Sequence, residues 1–151
     1  MSSTKPSERL DFLLANICHL HHARARQQLE ALKLYRGQPP VLHALWQKEG
    51  RTQTELADKL EIAPATLTKM LQRMERAGFI YRQVDKEDQR VSRVFLTEAG
   101  RAIQSQVEQI WDTMENESFA NFTLEEQIVL RRFLLQIRDN LLQAAGEKPW
   151  E

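Results

Sequence analysis

Cysteine is almost absent: Cys18 is the only one in 151 residues. No intrachain disulfide is possible, no cysteine-based metal framework can be built within one chain, and Cys18 itself reads as a buried helix residue. Glycine and proline number only five each and no low-complexity tract occurs, while 42% of the residues are apolar. That is enough burial to outweigh the entropy of ordering the chain, so intrinsic disorder is excluded. Long apolar runs are missing as well. The longest, Phe12 to Cys18, is interrupted by Asn16 and falls far short of the roughly 20 residues needed to span a bilayer. The opening MSSTKPSERL has neither an apolar h-region nor a small-residue cleavage site, so a cytoplasmic location without membrane association is expected. A glycine-rich phosphate loop, a Ser or Cys nucleophile motif and HExxH are all lacking, so the chain is not expected to be an enzyme or to hold a cofactor or metal. Its length fits a single domain, 1–151.

Charge of one sign is also missing, with 21 basic and 21 acidic residues. This argues against nucleic acid as a partner only until the chain is divided. Residues 1–35 carry an excess of two basic groups, residues 36–101 an excess of three, and residues 102–151 an acidic excess of five. A polyanion-binding surface is therefore expected before the C-terminal third.

What is present is helical periodicity. Leu10, Leu13, Leu14, Ile17, Leu20, Leu29 and Leu32 recur at steps of three and four and predict one long helix from about Ser7 to Leu34. Gly37, Pro39 and Pro40 break the chain, and Val41, Leu42, Leu45 and Trp46 restart a helix that Gly50 stops. Thr52 and Glu55 form a capping box opening a short helix, Gln53 to Leu60. Pro64 suits the first turn of the next helix and Gly78 its C-terminal cap. Phe79 to Val84 and Val91 to Thr97 are rich in β-branched and aromatic residues, and the polar segment DKEDQR separates them. A β-hairpin with a charged tip follows. Thr97 caps another helix through Ile103, Val107, Ile110, Trp111 and Met114, and a second capping box, Thr123 with Glu126, starts a last helix ending near Gly146. That last helix carries two apolar stripes, Leu130, Leu134, Ile137 and Leu141 beside Ile128, Leu135 and Leu142, more than one partner helix needs.

The fold class is mainly α with a small β component, an α+β winged helix-turn-helix at 37–101 flanked by helical regions at 7–35 and 102–146. At 100° per residue, Leu67, Met70, Leu71 and Met74 fall on one side of the helix that begins at Pro64. Ala65, Thr68, Lys69, Gln72, Arg73 and Arg76 fall on the other, with Thr66 flanking. This outer side has no acid, and its cations and hydroxyls suit phosphates and base edges in a major groove. A merely solvated face gathers Lys and Arg too, but the hairpin directly after the helix favours DNA.

Trp46 to Gly50, the segment TELADKLEIAPATLTKMLQRMERAGFIYR, the tip DKEDQR and the exit SRVFLTEAGR closely resemble the MarR family of bacterial transcriptional regulators. The family's wing pattern Asp-x-Arg-Asp-x-Arg aligns with Asp85, Asp88 and Arg90. By resemblance Asp88 braces the wing, Arg90 enters the minor groove, and Arg93 joins the residues that meet DNA. Glu87 stands where the family's first arginine would be and Ala63 where a capping Ser or Asp is common. The resemblance further implies a homodimer formed by the first and last two helices, a pseudo-palindromic operator on double-stranded DNA, repression, and release by a small aromatic or phenolic effector. Candidate walls for that effector are His19, His22, Leu45 and Trp46, although a helix core explains the last two equally well. In the family's organic-hydroperoxide branch the reactive cysteine aligns with Asp11, so Cys18 is out of place for that role. Only His19 and His22 among the clustered histidines share a helix face, too few ligands for a tight metal site. The alternative function is a winged-helix protein-interaction module without specific DNA binding, which the zero net charge keeps open.

Overall fold

The computed structural model describes Lys5, residues 8–35 and residues 37–146. In chain order these form α1 (Leu10–Ala31), α2 (Gln38–Gln47), β1 (Arg51–Thr52), α3 (Gln53–Leu60), α4 (Pro64–Arg76), β2 (Ile80–Val84), β3 (Ser92–Leu96), α5 (Glu98–Ala102), α6 (Gln104–Ser118) and α7 (Leu124–Ala145). They divide into two compact units, one reaching to Met114 and the other starting at Glu115.

In the first unit, α1 is shorter than the periodicity predicts. The expected start at Ser7 lies outside the described residues, and the helix stops at Ala31 rather than Leu34. Lys33 turns left-handed, with φ of 60°, and the Leu34 N–H closes onto the Leu29 carbonyl at 3.0 Å. This Schellman-type ending carries Leu34 into full burial. Cys18, expected inside, is exposed, because the buried side of α1 is confined to Ala25 and Leu29.

Pro39 and Pro40 start α2 rather than break the chain. They sit in its first turn, where an N–H has no acceptor within the helix and its loss is harmless. The other terminal signals act as read. Thr52 Oγ1 accepts the Glu55 N–H at 3.1 Å and Glu55 Oε2 accepts the Thr52 N–H at 3.0 Å. Pro64 opens α4, and Gly78, with φ of 83°, lets the Phe79 N–H reach the Met74 carbonyl at 3.1 Å. The helix predicted to run on from Thr97 is instead divided at Ile103, whose N–H is shared between the carbonyls of Ala99 and Arg101.

The hairpin pairs β2 with β3 antiparallel, Tyr81 opposite Phe95 and Gln83 opposite Arg93. A third strand was not foreseen: β1 pairs with β3, giving the order β1-β3-β2. Two residues are too few to leave an alternating pattern in the sequence. Leu34, Val41, Leu42, Leu45, Leu56, Leu67, Leu71, Met74, Val94 and Val107 are wholly buried, so one core ties α2, α3, α4, β3 and α6 together. At about 2 kcal/mol for each buried aliphatic side chain, this core fixes which side of every helix faces out.

In the second unit the capping box of Thr123 and Glu126 opens α7, and Gly146, with φ of 69°, closes it. No residue of α7 is buried. Its predicted stripes are only partly covered, with Leu141 59%, Ile128 62% and Leu134 43% exposed and Leu130 and Leu142 half-buried. Among the described residues no helix is long and apolar enough to cross a membrane.

Gly100 marks the tightest approach in the first unit. A Cβ there would stand 2.0 Å from the Phe79 carbonyl oxygen, while the Gly100 carbonyl accepts the Trp46 indole N–H at 2.9 Å. Gly100→Ala should therefore push α5 away from the start of β2. The expected loss is about 1–3 kcal/mol, the usual range for overpacking, read as a lower urea midpoint. An unchanged midpoint would refute the close approach.

Candidate nucleic-acid interface

The core divides α4 lengthwise. Leu67, Leu71 and Met74 are buried and Met70 half-buried, while Ala65, Thr66, Lys69, Gln72, Arg73 and Arg76 are exposed along the opposite side. The cations Lys69, Arg73 and Arg76 make no ion pair among the described residues, so their charge is available to phosphate. Thr68 differs from its neighbours. It is half-buried, its hydroxyl donates to the Pro64 carbonyl at 3.0 Å, and it accepts from Gln53 Nε2 at 3.4 Å.

The last turn of α4 is held to the wing by Glu75 and Arg82. Arg82 donates through Nε to Glu75 Oε1 at 2.8 Å and through Nη2 to Oε2 at 2.9 Å, and its backbone N–H reaches Oε1 at 3.1 Å. Such a two-pronged pairing fixes orientation as well as distance. The Arg82 hydrogen bond holds the Glu75 carboxyl below its ordinary value against a smaller opposing effect of burial, and the same bond raises the Arg82 guanidinium. Sequence reasoning missed this pair. The partners stand on different elements, and only the left-handed turn at Gly78 folds β2 back against α4.

At the wing tip Asp85 does more of the bracing than the family pattern implies. Its Oδ1 accepts the N–H groups of Glu87 at 2.8 Å and Asp88 at 3.2 Å, and its Oδ2 pairs with Arg93. Arg93 also donates to the Gly50 carbonyl at 2.8 Å. This cation, expected among the DNA contacts, thus also ties the tip to the residue before β1, while its side chain stays 40% exposed. Asp88 makes its own turn, accepting the Arg90 N–H at 3.0 Å and Arg90 Nε at 3.1 Å. The Arg90 side chain nevertheless stands 91% exposed. The Asp85 carboxyl lies below its ordinary value, chiefly through the Arg93 hydrogen bond and then through the two N–H groups.

The four effector-wall candidates are in unlike surroundings. His19 and His22 are exposed on α1, Leu45 has no exposed surface, and Trp46 is half-buried with its indole N–H already engaged. Leu45 therefore offers nothing to a small molecule in this packing. Among the described residues no group of three or more His, Cys, Asp or Glu is placed to hold a metal ion.

Glu75 and Asp85 together predict an acid response. A carboxyl whose folded value is lowered contributes stability that is complete above its ordinary value and is lost as pH falls through the folded one. The ordinary values are 4.5 for Glu75 and 3.8 for Asp85. The urea midpoint of the wild type should thus fall on acidification below pH 4.5, and Glu75→Gln should flatten the upper part of that fall. Parallel curves for the two proteins would show that the Glu75 pairing contributes no such linkage.

Comparison with known proteins agrees with this geometry. The MarR family model matches residues 34–92. The HTH-type transcriptional regulator TtmR of Methylorubrum extorquens (strain PA1) is 33% identical over 106 residues, which cover 70% of this chain and 53% of TtmR; the chain spans about half the length of that relative. The transcriptional regulator HosA of Escherichia coli O157:H7 is 35% identical over 103 residues, covering 68% of this chain and 76% of HosA. Among solved structures, a mutant of S. aureus MepR matches with a TM-score of 0.77 at 27% identity, over 88% of this chain and 98% of its own. A second MepR mutant, bound to an oligodeoxyribonucleotide, matches with a TM-score of 0.64 at 29% identity over the same shares. Helix order, three-stranded wing and these likenesses agree, and they place the protein among DNA-binding regulators rather than enzymes: the chain belongs to the MarR family of winged-helix transcriptional regulators.

Proposed function

We propose that this chain is a sequence-specific regulator that binds a pseudo-palindromic operator as a homodimer in the cytoplasm and represses by occupying a promoter. The observation that carries the reading is the outer side of α4. Lys69, Arg73 and Arg76 are exposed and unpaired there among the described residues, whereas Arg82 is held by Glu75 with its side chain 25% exposed. Unpaired cations on a helix of this shape neutralise phosphate, and Thr66 and Lys69 near its start, with Arg73 further along the same side in its last turn, are offered to base edges. Arg90 carries a further cation toward a minor groove, whose negative potential favours it. The MepR mutant that this chain resembles in fold was bound to an oligodeoxyribonucleotide, which supports DNA as the partner. Two copies are needed because α7 leaves its apolar residues only partly covered, and a two-fold pair of α4 helices reads half-sites about one helical turn apart. A small aromatic or phenolic effector acts by favouring a conformation in which the two helices are wrongly spaced.

Sedimentation at micromolar concentration should give twice 17.7 kDa; a monomer overturns the dimeric reading. Selection from random duplex DNA should then return a pseudo-palindrome. On that operator Arg73→Ala should reduce specific affinity more than affinity for random duplex. Arg90→Ala should weaken both and lower the magnitude of the salt slope by about one for each chain. Binding that is independent of salt, or a selection returning no sequence, would instead leave a protein-docking wing.

A further inference from the structure

Arg82 lies within the DNA-binding unit, carries a permanent charge and yet is withheld from solvent. Its side chain is 25% exposed, and all four of its polar links end on other elements, three on α4 and one on α3. Nε and Nη2 grip both oxygens of Glu75 at the last turn of α4, and Nη1 donates to Gln53 Oε1 at 3.4 Å. Gln53 is the first residue of α3, and its amide Nε2 donates at 3.4 Å to the Thr68 hydroxyl on the second turn of α4. The chain Glu75, Arg82, Gln53, Thr68 therefore leaves α4 near its end, crosses β2 and the start of α3, and returns to α4 near its beginning. A single helix is touched at two points 7 residues apart by groups belonging to the wing strand and to the preceding helix.

Hydrophobic packing leaves freedom that such a loop removes. Leu67, Leu71 and Met74 set which side of α4 faces inward, but apolar contacts are non-directional and allow the helix to roll or slide slightly. Hydrogen bonds from a planar guanidinium and an amide have fixed directions. From this we infer that Arg82, with Gln53, is a positioning residue for operator recognition. It sets the roll of α4 against the wing so that Lys69 and Arg73 meet base edges while Arg90 is at the minor groove, and it makes no contact with DNA itself. The inference rests on the DNA-binding reading above and deepens it. It also assigns Thr68, whose hydroxyl is already engaged on both sides, to holding the helix rather than to reading a base.

The test uses the full chain, its selected operator and a random-sequence duplex, each titrated at several salt concentrations. Arg82→Gln and Gln53→Ala are compared with wild type. Gln53 is half-buried at a helix start and pairs with no charged carboxylate, so its variant is expected to fold even where Arg82→Gln, which leaves Glu75 without its fork, loses stability; circular dichroism and urea midpoints check this. Arg82→Gln should lose about tenfold in operator affinity and Gln53→Ala, whose two links are each 3.4 Å long, about threefold. Affinity for random duplex and the salt slope on either DNA should be unchanged, because no phosphate contact is removed. In the double variant the losses should be less than additive, since the two side chains act in one network. Equal loss on both duplexes, or a salt slope smaller by about one for each chain, makes Arg82 a phosphate contact and overturns the proposal. Unchanged operator preference in both variants overturns it as well. A wild type that selects no operator overturns the DNA-binding reading itself, so the two failures are distinct.

Discussion

The burial of Leu67, Leu71 and Met74 is the constraint on which the first unit depends. Those three side chains occupy one side of α4, and the helical repeat then leaves no choice about which residues face outward. The same burial presses the helix against α3 and the sheet, brings its last turn within reach of Arg82, and allows the reversal at Gly78 to launch the wing from a fixed point. Pairing, capping and turn chemistry refine this arrangement, but each acts on elements that the apolar contact has already brought together.

Neutral net charge conceals a division of labour among the cations. Arg82, Arg93 and Arg101 face Glu75, Asp85 and Glu49 at hydrogen-bond distance, and each joins two different segments of the fold. Those acids hold the unit together without reducing the charge on the outer side of α4. Counting Lys and Arg against Asp and Glu therefore misjudges the partner, because paired and unpaired cations differ in what they can still attract.

Most of the fold could be read from the residues, for identifiable reasons. Thr52 with Glu55, Thr123 with Glu126, Pro64 and Gly78 act within a few residues of themselves, so their effects are local and visible. The divided sides of α4 follow from a period that any helix imposes. What escaped reading depended on contacts between distant segments. Strand β1 exists because β3 offers it a partner, the break at Ile103 has no breaker residue to announce it, and the exposure of Cys18 depends on how little of α1 the core covers. The site shows the same contrast: exposed Lys69, Arg73 and Arg90 were legible, whereas the engagement of Arg93 by Asp85 and Gly50 and the fork between Arg82 and Glu75 required the folded chain.

The open state of α7 links the protein's stability to its abundance. A helix whose apolar side chains are only partly covered by its own chain is stabilised further by whatever second surface covers them, and that stabilisation grows with the concentration of the surface by mass action. If a second copy supplies it, scarce protomers are the ones most exposed to proteolysis and turnover, while plentiful ones protect each other. The cellular level of such a regulator would then fall more steeply than its rate of synthesis, and its occupancy of DNA would respond to gene dosage with a sharper threshold than a self-sufficient monomer gives.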